Sequence, residues 1–279
     1  METTGDPQDH PPTPAPEPRA TPPARAPTRA RLAAEHTPDA ISRRLQEGPQ
    51  ESYLRDFVYG AIDGAVTTFA VVAGVAGAKL SAGIVVILGV ANLVGDGFSM
   101  AVSNFLGTRA ENERKNRLRR IEEEHIAHYP EGEREEIRQI FAAKGFENED
   151  LEKAVDIITS DVSRWVDTML TDELGVPLQG SNPLRAALAT FTAFVVVGAL
   201  PLLVFIYQLL SPPEARLAEP FFWSSIITGT AFFIVGALKG RFLEQRWWLA
   251  GLETLVMGGL AAAMAYAVGA LLKGVVEMG

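Results

Sequence analysis

The chain has 279 residues, 47% of them hydrophobic, a formal net charge of −9 and no cysteine. Without thiols it can form no disulfide, thiolate zinc site or iron–sulfur cluster, and an acidic balance without a basic stripe excludes a nucleic-acid partner. Charged residues crowd into the N-terminal region and one central block, a segregation foreign to soluble domains of this size.

Residues 1–37 are rich in Pro, Ala, Arg and acidic side chains and lack the apolar segment of a secretory signal. Such a stretch cannot bury enough surface to offset chain entropy, so a disordered tail is predicted. A short amphipathic helix lying on the membrane surface is predicted over 40–53, completing an N-terminal region of residues 1–52. A bilayer core roughly 30 Å thick takes about 20 apolar helical residues to cross. Five segments meet that criterion: 57–78, 83–107, 184–210, 221–238 and 248–272. Lipid offers the backbone no hydrogen-bond partner, so each must be helical. The fold class is therefore an all-α integral membrane protein, with two membrane helices in 53–107 and three in 183–279. Arg43, Arg44, Arg55, Arg109, Arg114, Lys115, Lys239 and Arg241 flank one set of span ends, against Lys79, Arg216 and Lys273 on the other. By the positive-inside rule the N-terminus and the central block are expected in the cytoplasm.

The central block, residues 108–182, reads as a three-helix bundle inserted between the second and third spans. Its first helix continues the second span to Tyr129. Pro130 opens the next helix, and Gly145 ends it. Asn148 is expected to cap a third, whose Leu151, Val155, Ile158, Val162, Trp165 and Met169 form one apolar stripe as far as Gly175.

Two carboxylates fall inside spans: Asp63 in the first and Asp96 in the second, with Met100 one turn beyond Asp96. Each buried acid costs about 2.5–3.5 kcal/mol on insertion scales, so two on consecutive helices point to an ion path. Counted from the inner edges of their spans, Asp63 and Met100 come to similar depth. A carboxylate and a thioether at one level suit Fe²⁺ or a neighbouring transition ion better than Mg²⁺ or Ca²⁺. Glu253, near the inner end of the fifth span, is either a proton-linked group or an interfacial one. The central block holds 11 Lys and Arg against 18 Asp and Glu, a net of −7. Glu122 with His125, Glu133 with Glu136, and Met169 with Glu173 are spaced three or four apart, so each pair shares a helix face and can present two ligands to one ion.

These residues resemble the vacuolar iron transporter family. The likeness lies in Arg55-Asp56-Phe57-Val58-Tyr59-Gly60-Ala61-Ile62-Asp63-Gly64 of the first span, in Gly95-Asp96 through Met100 of the second, and in Trp165-Val166-Asp167, Met169 and Glu173-Leu174-Gly175 of the central block. It runs from Tyr53 to the C-terminus. The resemblance implies a homodimer in a lipid bilayer that exchanges Fe²⁺, and often Mn²⁺, for protons along a path between the two first helices. Asp63 and Met100 would line that path with Asp96 nearby. Glu122, Glu133, Glu136, Met169 and Glu173 would bind Fe²⁺, Mn²⁺ or Zn²⁺ on the cytoplasmic side. His125 stands where a glutamate is usual, and Leu170 where a second methionine is usual.

Two other classes compete. A membrane-tethered iron sensor would need the acidic block but not Asp63, Asp96 and Met100. A di-iron oxidase would need Glu-x-x-His on two helices, and only Glu122–His125 matches. The chain is thus expected to be a metal exporter and not an enzyme. Its expected location is a bacterial inner membrane, or a vacuolar membrane in a eukaryote.

Overall fold

The structure, a computed structural model, describes residues 28–47 and 53–276. Every regular element among them is helical. Two short helices come first, α1 (Arg29–Glu35) and α2 (Pro38–Glu47). The disorder expected of the tail is therefore not found over Arg29–Glu35, and its expected extent over 1–27 lies outside the described residues. Arg29–Glu35 is a proline-free run of Arg, Ala, Leu and Glu, all good helix formers. The proline density of the region as a whole conceals it. The helix expected over 40–53 is found as α2, beginning two residues earlier than predicted, and residues 48–52 of it lie outside the described residues.

Five helical segments are long and apolar enough to cross a membrane: α3 (Leu54–Gly77), α4 (Ala82–His128), the pair α8 (Pro183–Gly198) and α9 (Leu203–Leu210), α10 (Pro220–Phe242) and α11 (Trp247–Val276). The protein is thus a multi-pass membrane protein. Helix α3 is the hub, packing against α4, α8, α10 and α11, with Ala61, Val72 and Ala73 fully buried. Glycines permit the close crossings. A Cβ at Gly198 would stand 2.7 Å from the carbonyl oxygen of Gly64, so the α3 and α8 backbones touch where lipid supplies no hydrophobic drive and packing must hold helices together. The third span, read as continuous, is interrupted. Pro201 has no N–H for a helical bond, and Leu200–Leu202 forms a 3₁₀ turn. Ser224 Oγ of α10 donates to the Pro201 carbonyl at 2.7 Å, covering an oxygen at the break.

Helix α4 runs unbroken for 47 residues, out of the apolar layer and into a small second bundle. It is joined there by α5 (Pro130–Ala143), α6 (Asn148–Thr159) and α7 (Val162–Thr168). The bundle core is Ile126, Ile137, Val155, Trp165, Val166, Met169 and Leu170. Pro130 and Gly145, at φ 93°, bound α5 as the sequence suggests. The single third helix is corrected to three pieces: α6, α7 and a π-helical turn over Met169–Glu173. Thr159 and Ser160 turn their hydroxyls back onto the Val155 and Ile157 carbonyls, while Asp161 accepts from the Arg164 N–H at 2.8 Å and starts a new helix. Val162 consequently leaves the apolar stripe and is exposed. Asn148 does not cap; it takes a left-handed conformation at φ 50°, and Glu147 is the flanking residue.

Candidate metal site

Glu122 and His125 project from the far end of α4, and Glu133 from the first turn of α5. The Tyr129–Pro130 corner folds the second helix back on the first, so sequence neighbours eleven apart meet. One ligand atom from each of the three lies within 4.8 Å of the other two, spacing suited to one ion. His125 Nδ1 stands 3.3 Å from Glu133 Oε1. Glu122 is 5% and Glu133 6% exposed, whereas His125 is open to solvent. Burying a carboxylate without partners is costly, and Glu133 Oε2 is buried with no hydrogen-bond partner among the described residues. Burial, together with the charges of Glu136 and Glu122, pushes the Glu133 carboxyl up to about 7. Glu122 is also raised, by burial first and then by Glu136, with His125 opposing.

Glu136 and Glu173 are exposed acids within electrostatic reach of the cluster. The Glu173 carboxyl is raised by partial burial and by the charges of Glu136 and Glu122. The π turn at Met169–Glu173 sets its approach. An extra residue in that turn rotates the chain relative to α7, and such turns recur at functional sites. Met169 and Leu170, in the same turn, are fully buried in the bundle core. The structure therefore brings Glu122, His125 and Glu133 together, sets Glu136 and Glu173 within electrostatic reach of them, and packs Met169 in the bundle core.

In the membrane layer, Asp63 of α3 is half-buried and Asp96 of α4 exposed, within electrostatic reach of each other. Met100 is half-buried against the membrane core. Two polar clusters here were not singled out in the sequence. Asn92 Nδ2 donates to Thr67 Oγ1 at 3.2 Å and to Thr68 Oγ1 at 3.3 Å, and Thr67 Oγ1 donates to the Asp63 carbonyl. Asn104 Nδ2 donates to Asp56 Oδ1 at 3.0 Å and to Thr190 Oγ1 at 2.7 Å, joining α3, α4 and α8. Asparagines in an apolar span were the available signal, because lipid leaves them only other helices to bond. Glu253 is exposed and sits 3.4 Å from Lys239 at the α10–α11 turn, which favours the interfacial reading of it.

The VIT family profile matches residues 54–270, and so covers every apolar helix and the whole central bundle. The chain belongs to the VIT family. It is 34% identical over 230 residues to the vacuolar iron transporter of Toxoplasma gondii (strain ATCC 50861 / VEG), an alignment covering 80% of this chain and 76% of that protein. Identity to vacuolar iron transporter 1 of Arabidopsis thaliana is 33% over 216 residues, 76% of this chain and 83% of the relative. With vacuolar iron transporter 1 of Tulipa gesneriana it is 29% over 245 residues, 85% and 96% of the two chains.

In this VIT family member the bundle carboxylates have a chemistry that their sequence spacing does not convey. A carboxylate near its ordinary pKa is ionised throughout the neutral range, whereas Glu133, at about 7, titrates within it. Two oxygen donors and one nitrogen donor remain a set suited to first-row divalent ions.

Proposed function

We propose that this chain carries a divalent transition metal, Fe²⁺ with Mn²⁺ as a second cargo, out of the cytoplasm in exchange for protons. The observation that carries the reading is the continuity of α4. One unbroken helix bears Asp96 and Met100 in the apolar layer and Glu122 and His125 about 22 residues on, some 33 Å away at 1.5 Å per residue. Residues of the bundle cluster and of the intramembrane set thus lie on one helix. Relatives named vacuolar iron transporters support iron as the cargo.

The path would run between α3 helices of two copies, with Asp63 and Met100 as successive ligands and Asp96 beside them. Asp96 on an exposed face of α4, and the open space around Gly95 and Gly107, agree with a second copy covering that face. Basic flanks argue for the central bundle on the cytoplasmic side of the membrane. In proteoliposomes with an imposed pH gradient, Fe²⁺ and Mn²⁺ uptake should be gradient-dependent. Asp63→Ala should reduce uptake to the protein-free rate at normal expression. Uptake by Asp63→Ala at the wild-type rate would remove Asp63 from the path.

A further inference from the structure

A cavity of about 570 Å³ opens where the bundle meets the membrane helices. Its walls come from the first turn of α3, the stretch of α4 just past its apolar part, and the linker that returns from the π turn to α8. The linker is pinned to α4, since Asn112 Nδ2 donates to the Ser181 carbonyl and Lys115 Nζ to the Leu178 carbonyl, each at 2.9 Å. The rim is therefore fixed, and Lys115 is held with its charge against the cavity wall. Arg55 and Arg114 also line it, and neither makes an ion pair among the described residues. Two acids face them. Asp56 has one oxygen taken up by Asn104, and Glu111 is exposed. Three cations thus face two acids, one of them already hydrogen-bonded.

The level of this cavity matters as much as its charge. Arg55 is the second residue of α3 and Ala186 the fourth of α8, so the cavity lies where spans leave the apolar layer. Basic pockets between membrane helices at an interface suit phosphate-bearing lipid headgroups. We propose that this cavity is a binding site for an anionic phospholipid, its headgroup phosphate held by Arg55, Arg114 and Lys115. The site is separate from the metal ligands and does not depend on the cargo.

The test uses the full chain purified in neutral detergent, with thermal midpoints and lipid retention by native mass spectrometry. Added phosphatidylglycerol should raise the midpoint and stay bound, whereas phosphatidylcholine and inorganic phosphate should do neither. The double variant Arg55→Gln/Arg114→Gln should lose most of the shift and the retained lipid. Arg117→Gln/Arg120→Gln, which removes two charges outside the cavity, should keep both. Arg114→Lys keeps the charge, should retain the lipid, and guards against a variant that merely misfolds. The proposal is overturned if the double variant binds phosphatidylglycerol as the wild type does, or if the control loses as much. An equal shift with phosphatidylcholine or with inorganic phosphate alone would also overturn it.

Discussion

The membrane layer and the small bundle at the end of α4 treat buried polar groups in opposite ways. Within the layer, the polar side chains find partners on their own helix or a neighbouring one. Thr228 and Thr254 return their hydroxyls to carbonyls four residues back, Ser224 reaches Pro201, and Asn104 bridges Asp56 and Thr190. The bundle has a far smaller apolar core, yet Glu133 Oε2 and Trp165 Nε1, the unpartnered buried side-chain atoms among the described residues, both lie in it. An unpaired buried acid destabilises a fold by several kcal/mol or holds its proton. The layer is thus built for packing. The bundle instead buries a carboxylate oxygen and an indole N–H for which no partner is found among the described residues.

Breaking the packing side of that contrast should give the largest effect. Gly198→Leu drives a side chain into the backbone of α3. Overpacking usually costs 1–3 kcal/mol, and more where backbone is the obstacle. The expected outcome is loss of the monodisperse peak in size-exclusion chromatography. A normal peak would mean that α3 and α8 can separate without penalty.

Next comes the pH dependence of the bundle without metal. The Glu133 carboxyl is raised from 4.5 to about 7, so its protonated form is favoured by folding. That contribution is fully present below about pH 4.5 and lost as pH rises through 7, a swing of about 3 kcal/mol. Hydrogen exchange at the Ile137 and Val155 amides should quicken between pH 5.5 and 8 beyond the intrinsic rate. Glu133→Gln should flatten the trend and leave the bundle more protected than wild type at pH 8. An unchanged slope in that variant would place the titrating group elsewhere.

The smallest effect should come from the bundle's exterior. Arg138 pairs with Glu152 at 2.8 Å and with Glu135 at 2.5 Å. Exposed pairs of this kind contribute at most about 1 kcal/mol. Arg138→Ala should therefore leave both metal affinity and the exchange pattern nearly unchanged. A large loss of protection would make the ion-pair skin, rather than the apolar core, the source of bundle stability.

What could be read in the sequence follows the same divide. Membrane spans need some twenty apolar residues in a row, so their number and rough limits are plain before any packing is known. Pro130, Gly145 and Gly175 mark turns for local reasons and are equally legible. The break at Asp161 is not, because Val162 preserves an apolar period that an N-cap interrupts. Nor is the π turn, whose register depends on Met169 and Leu170 both finding the core. Glu122, His125 and Glu133 were candidates by spacing, but burial is a tertiary fact. It turns Glu133 from an ordinary acid into one that titrates near neutrality. The Asn92 and Asn104 clusters carry no charge to mark them in the sequence, although an amide in lipid demands a partner as well.

The central claim is that the buried acids of the bundle hold a divalent ion. Calorimetric titration of the purified full chain with Mn²⁺ at pH 7.5 tests it directly, against Glu122→Gln/Glu133→Gln. Wild type should bind with proton release, since Glu133 is partly protonated there, and its affinity should fall steeply by pH 6. The double variant should lose that binding while remaining folded. Equal affinity and equal proton release in the two proteins would contradict the account and return the cluster to a buried acidic pair with no ion to hold.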